Sequence, residues 1–261
     1  MAIAASEQVL ATRSAPAVEE PIRIWNPAHL AAMLVILLSL VFAWWWYQQL
    51  EAFASGLDAS DPAFDKKWMP VWYANCAFAV LTQVSIPIYF WVTRDRDLLH
   101  VTPEVELHRY FMLLALSVTA ALGSAIALSF GTADAAWHQV VVRDTSLTPS
   151  HIVLFFGIVP LQTAFAMSGF FYALTRIPQF ADRLSVGMLL TFCGPFLALP
   201  SVAYNEWGHA YWLMEELFIA PLHWGFVVIG LSFVGVFAVI LQSMPRWLEL
   251  LQIVEAKQAA A

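Results

Sequence analysis

The sequence predicts an all-α, polytopic membrane helical bundle. Six transmembrane helices are expected, with short interfacial helices; a seventh follows if the stretch from Pro200 to Leu217 also crosses. Three observations carry this. The chain of 261 residues is 61% hydrophobic with a mean hydropathy of +0.69, well above the apolar share of a soluble domain. Only 12% of residues are charged. Apolar runs long enough to cross a hydrocarbon layer of about 30 Å recur along the whole chain.

Taken in order, residues 1–24 are rich in Ala, Ser and Glu and lack an apolar core of signal-peptide type, so they read as a flexible tail with no cleavable signal. Span one runs from about His29 to Tyr47 and ends in Trp44, Trp45, Trp46 and Tyr47, an aromatic cluster suited to a membrane–water interface. Span two covers about Pro70 to Val92. Span three runs from about Arg109 to Phe130, preceded by Thr102-Pro103 and Glu104-Val-Glu106, the capped and acidic start of a helix. Span four begins near His151 and reaches about Leu174. Thr148 suits its N-cap and Pro149 its first helical position. Span five covers about Leu184 to Leu199. The segment from Pro200 to Leu217 is too polar for a plain span yet rich in Trp and Tyr, as in a re-entrant or interfacial stretch. Span six runs from about Ala220 to Leu241. A tail from Pro245 carries Trp247, Leu248, Leu250 and Leu251 and reads as an interfacial helix. The organisation is thus a cytoplasmic tail (1–24), a membrane domain (25–244) and a C-terminal cytoplasmic tail (245–261).

The basic residues give the orientation. Arg13, Arg23, Arg94, Arg96, Arg109, Arg176, Arg183, Arg246 and Lys257 fall on one side of the six-span drawing, and only Lys66, Lys67 and Arg143 on the other. This bias puts both termini in the cytoplasm and the loops after spans one, three and five outside. The net charge of −7 says nothing about nucleic acid, there is no basic stripe, and no nucleic-acid partner is expected. Cys76 and Cys193 both lie in apolar runs and read as packed residues, not as a disulfide.

Two constellations stand out against this apolar background. Asp134 and His138 are four residues apart, and His151 follows thirteen residues later. Asn205 and His209 repeat the spacing, and His223 follows fourteen residues later. Positions i and i+4 share one face of a helix. Nitrogen and oxygen ligands of this kind suit a borderline divalent metal such as copper, zinc or iron. Four of the seven His belong to these sets, and both sets lie at the edges of apolar segments, on the outward side. The bland alternative is that Asp134 solvates a loop and His151 bonds a helix end. Arg143 and Asp144 could pair and orient the first set, and Glu206, Glu215 and Glu216 could accept from ring N–H groups of the second. His29, His100 and His108 sit near predicted membrane edges without comparable partners and read as interfacial.

Paired His at such intervals also hold haem b between helices. That requires each pair on one continuous span. Arg143, Asp144 and Pro149 interrupt the first interval, and Glu215, Glu216 and Pro221 the second, so haem is the weaker reading. Phosphate loops, a serine nucleophile elbow and paired CxxC motifs are absent from the sequence.

The string Trp137-His-Gln-Val-Val-Val-Arg-Asp144-Thr-Ser-Leu-Thr-Pro-Ser-His151 resembles a signature of the C subunit of the copper membrane monooxygenases. That family includes the particulate methane, ammonia and short-alkane enzymes. The strings Asn205-Glu-Trp-Gly-His209 and Trp212-Leu-Met-Glu-Glu-Leu-Phe-Ile-Ala-Pro-Leu-His223-Trp-Gly-Phe resemble its second signature. Gly56-Leu-Asp58, Pro62-Ala-Phe, Thr93-Arg-Asp95-Arg and Gly194-Pro-Phe are shorter matches, and the likeness runs from about 40 to 245.

The resemblance implies a helical membrane subunit assembled with A and B subunits as a trimer of heterotrimers, in a bacterial inner or intracytoplasmic membrane. It implies one metal site at Asp134, His138 and His151, where zinc can substitute. It implies a second, neighbouring copper site, the catalytic one, at Asn205, His209 and His223. The implied reaction inserts one oxygen atom of O₂ into a small substrate. Close relatives carry Phe-Thr-Glu-Gln-Asp where this chain has Phe130-Gly131-Thr132-Ala133-Asp134, which keeps the carboxylate but loses a Glu and a Gln beside it. The rival readings are a copper-binding or transport protein without oxygenase activity, a haem electron carrier and a purely structural subunit.

Overall fold

The computed structural model describes residues 26–140, 147–183, 185–193 and 224–260, and within these ranges the side chains of 128, 132, 135–140, 192–193 and 224–233 lie outside the description. Every regular element among the described residues is helical. Helix α1 (Pro27–Gln48) starts on Asn26, whose carboxamide oxygen accepts from the Ala28 amide at 3.1 Å, with Pro27 in the first turn. It ends in a π-helical turn, Gln49–Phe53. A turn through Gly56, whose φ of 64° suits glycine, leads to the short α2 (Phe64–Lys67) and then to α3 (Met69–Val92).

Helix α4 spans Pro103–Val140. Thr102 caps it, with its hydroxyl accepting from the Val105 amide at 3.5 Å. At 38 residues it rises about 57 Å, nearly twice the hydrocarbon thickness, so its last turns project well past the apolar stretch that marks the span. Helix α5 (Pro149–Val153) passes through a π-helical turn, Leu154–Ile158, into α6 (Val159–Arg176). Helix α7 is short (Pro178–Ala181), α8 covers Val186–Cys193, and α9 runs from Trp224 to Ala259.

Among the described residues five helices are long and apolar enough to cross a membrane, as in a multi-pass membrane bundle. The fifth expected span, about Leu184 to Leu199, falls partly on α8 and partly on residues outside those described, while the sixth, about Ala220 to Leu241, falls largely on α9. The spans are longer than the sequence pattern gives. Hydropathy marks the stretch that faces hydrocarbon, whereas backbone hydrogen bonding continues into polar turns. The clearest case is α9, which continues through Pro245 instead of yielding to a separate interfacial helix.

Helices α4 and α6 form the centre. Helix α4 packs on α9, α6 and α1, α3 packs on α6, and α8 packs on α9. Small residues set these approaches. A Cβ on Gly235 would lie 2.6 Å from Thr191 Oγ1, and one on Gly187 would lie 2.8 Å from the Ala238 Cβ, so α8 and α9 meet backbone to backbone. Gly123 of α4 admits Gln162 of α6, whose amide nitrogen donates to Ser124 Oγ at 2.5 Å in the buried centre. The outward faces are apolar: Val35, Phe42, Val80, Leu81 and Val84 are all exposed on α1 and α3. Cys76 is half-buried with a free thiol, in keeping with its apolar setting; the Cys193 side chain lies outside the described residues.

One end of the bundle is tied by polar groups. Arg109 meets Asp95 at 2.6 Å and donates to the Arg176 carbonyl at 2.5 Å; Arg176 in turn donates to Thr93. The Asp97 amide and the Arg109 guanidinium hold the Asp95 carboxyl below the usual carboxylate range. Arg246 of α9 grips the buried Glu106 of α4 with two hydrogen bonds, at 3.0 and 2.6 Å. His29 and His108, for which sequence spacing offers no partners, meet edge to face with ring centroids 6.2 Å apart, and His100 bonds Asp97 at 2.7 Å.

Candidate metal centre

The opposite end of the bundle carries the first constellation. Asp134 and His138 occupy positions one turn apart on the unbroken α4, so no loop separates them. The sequence pattern puts both on a short extension after the span. The helix itself supplies that extension, because its hydrogen-bonded backbone does not stop where the apolar run does.

Helix α5 begins as its sequence dictates. Pro149 stands in the first turn and the Thr148 hydroxyl accepts from the His151 amide at 3.4 Å. This cap fixes the first turn and hence the position of His151. The imidazole is fully buried and Asp134 almost so, and His151 Nε2 lies 3.4 Å from Asp134 Oδ2. Seventeen positions apart in sequence, the two meet where α4 ends and α5 starts. The Phe155 ring lies 5.1 Å from the imidazole. Leu147, Ile152 and Phe130 belong to the apolar cluster around the start of α5.

The donor set fits a borderline metal ion. An imidazole nitrogen and a carboxylate oxygen converge in an apolar setting, where a bare carboxylate is costly and a cation compensates it. Asp134 and His151 would hold the ion, with His138 one turn from Asp134 as the third ligand position. Among the described residues no group of three or more His, Cys, Asp or Glu gathers in metal-binding array. The His138 side chain and Arg143-Asp144 lie outside the described residues. So do all of the second constellation, Asn205, His209 and His223, and its neighbours Glu206, Glu215 and Glu216.

One contributor escapes a reading of the sequence. Asn75 of α3 is 4% exposed and donates Nδ2 to the Ile152 carbonyl, next to His151, at 3.1 Å. Its Oδ1 accepts from Trp44 Nε1 at 3.2 Å. The available signal is a lone carboxamide inside an apolar span, where polar groups are retained for a reason. The tryptophan run accordingly divides: Trp45 and Trp46 face outward, while Trp44 bonds Asn75 and Tyr47 donates to the Lys67 carbonyl at 2.8 Å.

Fold and site together define a polytopic membrane protein with a buried carboxylate–imidazole pair between two helix ends. A family model for the C subunit of ammonia monooxygenase/methane monooxygenase matches residues 11–254, and the chain belongs to that family. It is therefore a subunit of an oxidoreductase complex and works with partner subunits. No individually curated protein matches the chain.

Proposed function

We propose that the chain is the copper-bearing C subunit of a membrane monooxygenase that inserts one oxygen atom of O₂ into methane, ammonia or a short alkane. It is active only with its A and B subunits, in a trimer of heterotrimers. Asp134, His138 and His151 form one metal site, which zinc can also occupy; Asn205, His209 and His223 form the second, catalytic copper site. The observation that carries the reading is the buried approach of His151 to Asp134, at 3.4 Å, in a chain of this family.

Copper bound by such ligands supplies one-electron redox chemistry and a place for O₂. The protein's own part is positional. Asp134 brings negative charge that offsets a cation in a low-dielectric setting. The Thr148 cap and the turn after it fix the backbone that carries His151. The apolar cluster around Leu147, Ile152 and Phe155 excludes water and favours a small apolar substrate.

The distribution of charge supports an orientation with both termini in the cytoplasm of a bacterial inner or intracytoplasmic membrane. Arg109, Arg176, Arg246 and Lys257 gather at one end of the bundle with Asp95, Glu106 and Glu104, opposite to Asp134 and His151. The metal sites then face the periplasm.

The test is copper content and propylene or ammonia oxidation of the purified, copper-loaded complex for Asn205→Ala, His209→Ala, Asp134→Ala and His151→Ala. The proposal expects copper loss at both sites and loss of oxidation on removing Asn205 or His209 while assembly persists. Full oxidation without copper at the second constellation would move the chemistry elsewhere. Unchanged copper in all four variants would refute the metal-bearing role of the chain.

A further inference from the structure

We propose that Asn75 is a positioning residue for the metal centre: its carboxamide, anchored by Trp44, holds the π-helical turn that follows His151 and so sets how that imidazole faces Asp134. The inference rests on the reading of Asp134, His138 and His151 as metal ligands.

The π turn is the starting point. Residues Leu154–Ile158 begin three positions after His151, and the Val159 amide bonds back to the Leu154 carbonyl, one residue further than in an α-helix. One inserted residue re-phases the helix by about 100°. The azimuth of His151 relative to α6 therefore depends on whether this turn is kept. Helix α5 is only five residues long, too short to define that azimuth by its own packing.

What keeps the turn comes from two other helices. Asn75 Nδ2, on α3, donates to the Ile152 carbonyl at 3.1 Å, where the regular amide–carbonyl ladder is giving way to the wider register. Trp44 Nε1, on α1, donates to Asn75 Oδ1 at 3.2 Å and fixes the carboxamide so that its N–H₂ points at that carbonyl. Gly157, inside the turn, completes the arrangement. A Cβ there would stand 3.0 Å from Trp44 Cε2 and 3.2 Å from Asn75 Nδ2, so any larger residue would require these two side chains to give by a few tenths of an ångström. A carboxamide at 4% exposure in an apolar bundle is costly unless both its ends are used, and here both are. On the other side of His151, the Thr148 cap secures the first turn. His151 is thus held between a cap and a braced turn, and the brace is Asn75.

The test uses the copper-loaded complex in its membranes or in detergent. The copper signal belonging to this site is defined by electron paramagnetic resonance as the part lost in Asp134→Ala and His151→Ala. Asn75→Leu keeps the approximate volume and removes both hydrogen bonds. Trp44→Phe removes only the anchor, and Gly157→Ala pushes on the same contact. Asn75→Leu is expected to change the hyperfine pattern of that signal and to weaken copper retention about 10- to 100-fold, as loss of a partner that orients a ligand does. Trp44→Phe and Gly157→Ala are expected to shift the pattern in the same sense by less. An unaltered pattern and unaltered copper retention in Asn75→Leu would overturn the proposal. If Asn75→Leu does not assemble, Trp44→Phe decides, and its wild-type spectrum would overturn the proposal equally. If Asp134→Ala and His151→Ala themselves leave every copper signal in place, the metal-site reading fails first, and the role given to Asn75 falls with it.

Discussion

Removal of Arg246 is expected to harm the bundle more than removal of Arg246 and the Glu106 charge together. Glu106 lies in the first turn of α4 with its side chain 5% exposed, while the Arg246 side chain of α9 is 37% exposed. Two N–H···O bonds join them, at 3.0 and 2.6 Å, and a third guanidinium N–H reaches Glu249 at 2.8 Å. At an effective dielectric constant of about 20, unit charges about 4 Å apart attract by about 4 kcal/mol. The desolvation of Glu106 and the exposure of Arg246 cancel much of this, so the intact pair contributes little net. Arg246→Met leaves the buried carboxylate uncompensated and should cost about 2–4 kcal/mol. Adding Glu106→Gln removes the stranded charge and should return the loss to about 1 kcal/mol. Thermal and denaturant unfolding of the purified complex, with both single variants and the double, completes the cycle. A double variant as damaged as Arg246→Met, or an Arg246→Met variant within about 0.5 kcal/mol of the parent, would refute the reasoning.

Gly235→Ala places a methyl 2.6 Å from Thr191 Oγ1 and 2.7 Å from the Thr191 backbone nitrogen, so α8 and α9 must separate; a loss of about 1–3 kcal/mol is expected in unfolding, and wild-type stability would deny the close approach. Ser124→Ala strands the Gln162 amide donor in the buried centre and should cost about 1–2 kcal/mol, whereas Ser124→Ala with Gln162→Leu should recover most of it; the same unfolding assay reads both. Because Asp95 titrates below its unfolded range, its contribution to stability is complete above about pH 4 and fades as pH falls through the lower folded pKa. The melting-temperature gap between the parent and Asp95→Asn should therefore be steady near neutrality and close on acidification, and a gap that widens there would contradict the assignment.

Much of the helical scaffold was legible because its causes are local. Apolar runs of spanning length demand helices in lipid, since every backbone group must be satisfied within the segment. Thr148-Pro149 and Thr102-Pro103 announced two helix starts, and both hydroxyls accept the expected amides. Helix ends were harder. The last turns of α4 and the continuation of α9 past Pro245 follow from backbone hydrogen bonding and packing, to which a hydropathy pattern is blind.

The candidate site divides along the same line. The residue types at Asp134, His138 and His151, and the cap that starts α5, are written in the chain, as is the likeness that marks its family. Asn205, His209 and His223 carry the same kind of sequence signal and lie outside the described residues. By itself the sequence determined that this is a helical membrane protein of one recognisable family, because composition, periodicity and capping act within a few turns. Only the tertiary structure decided that Asp134 meets His151 at 3.4 Å, and that Trp44 and Asn75, 31 positions apart, brace the turn beside it. Such contacts depend on the relative phase and height of separate helices. Side-chain packing across their interfaces sets these quantities, and no local pattern encodes them.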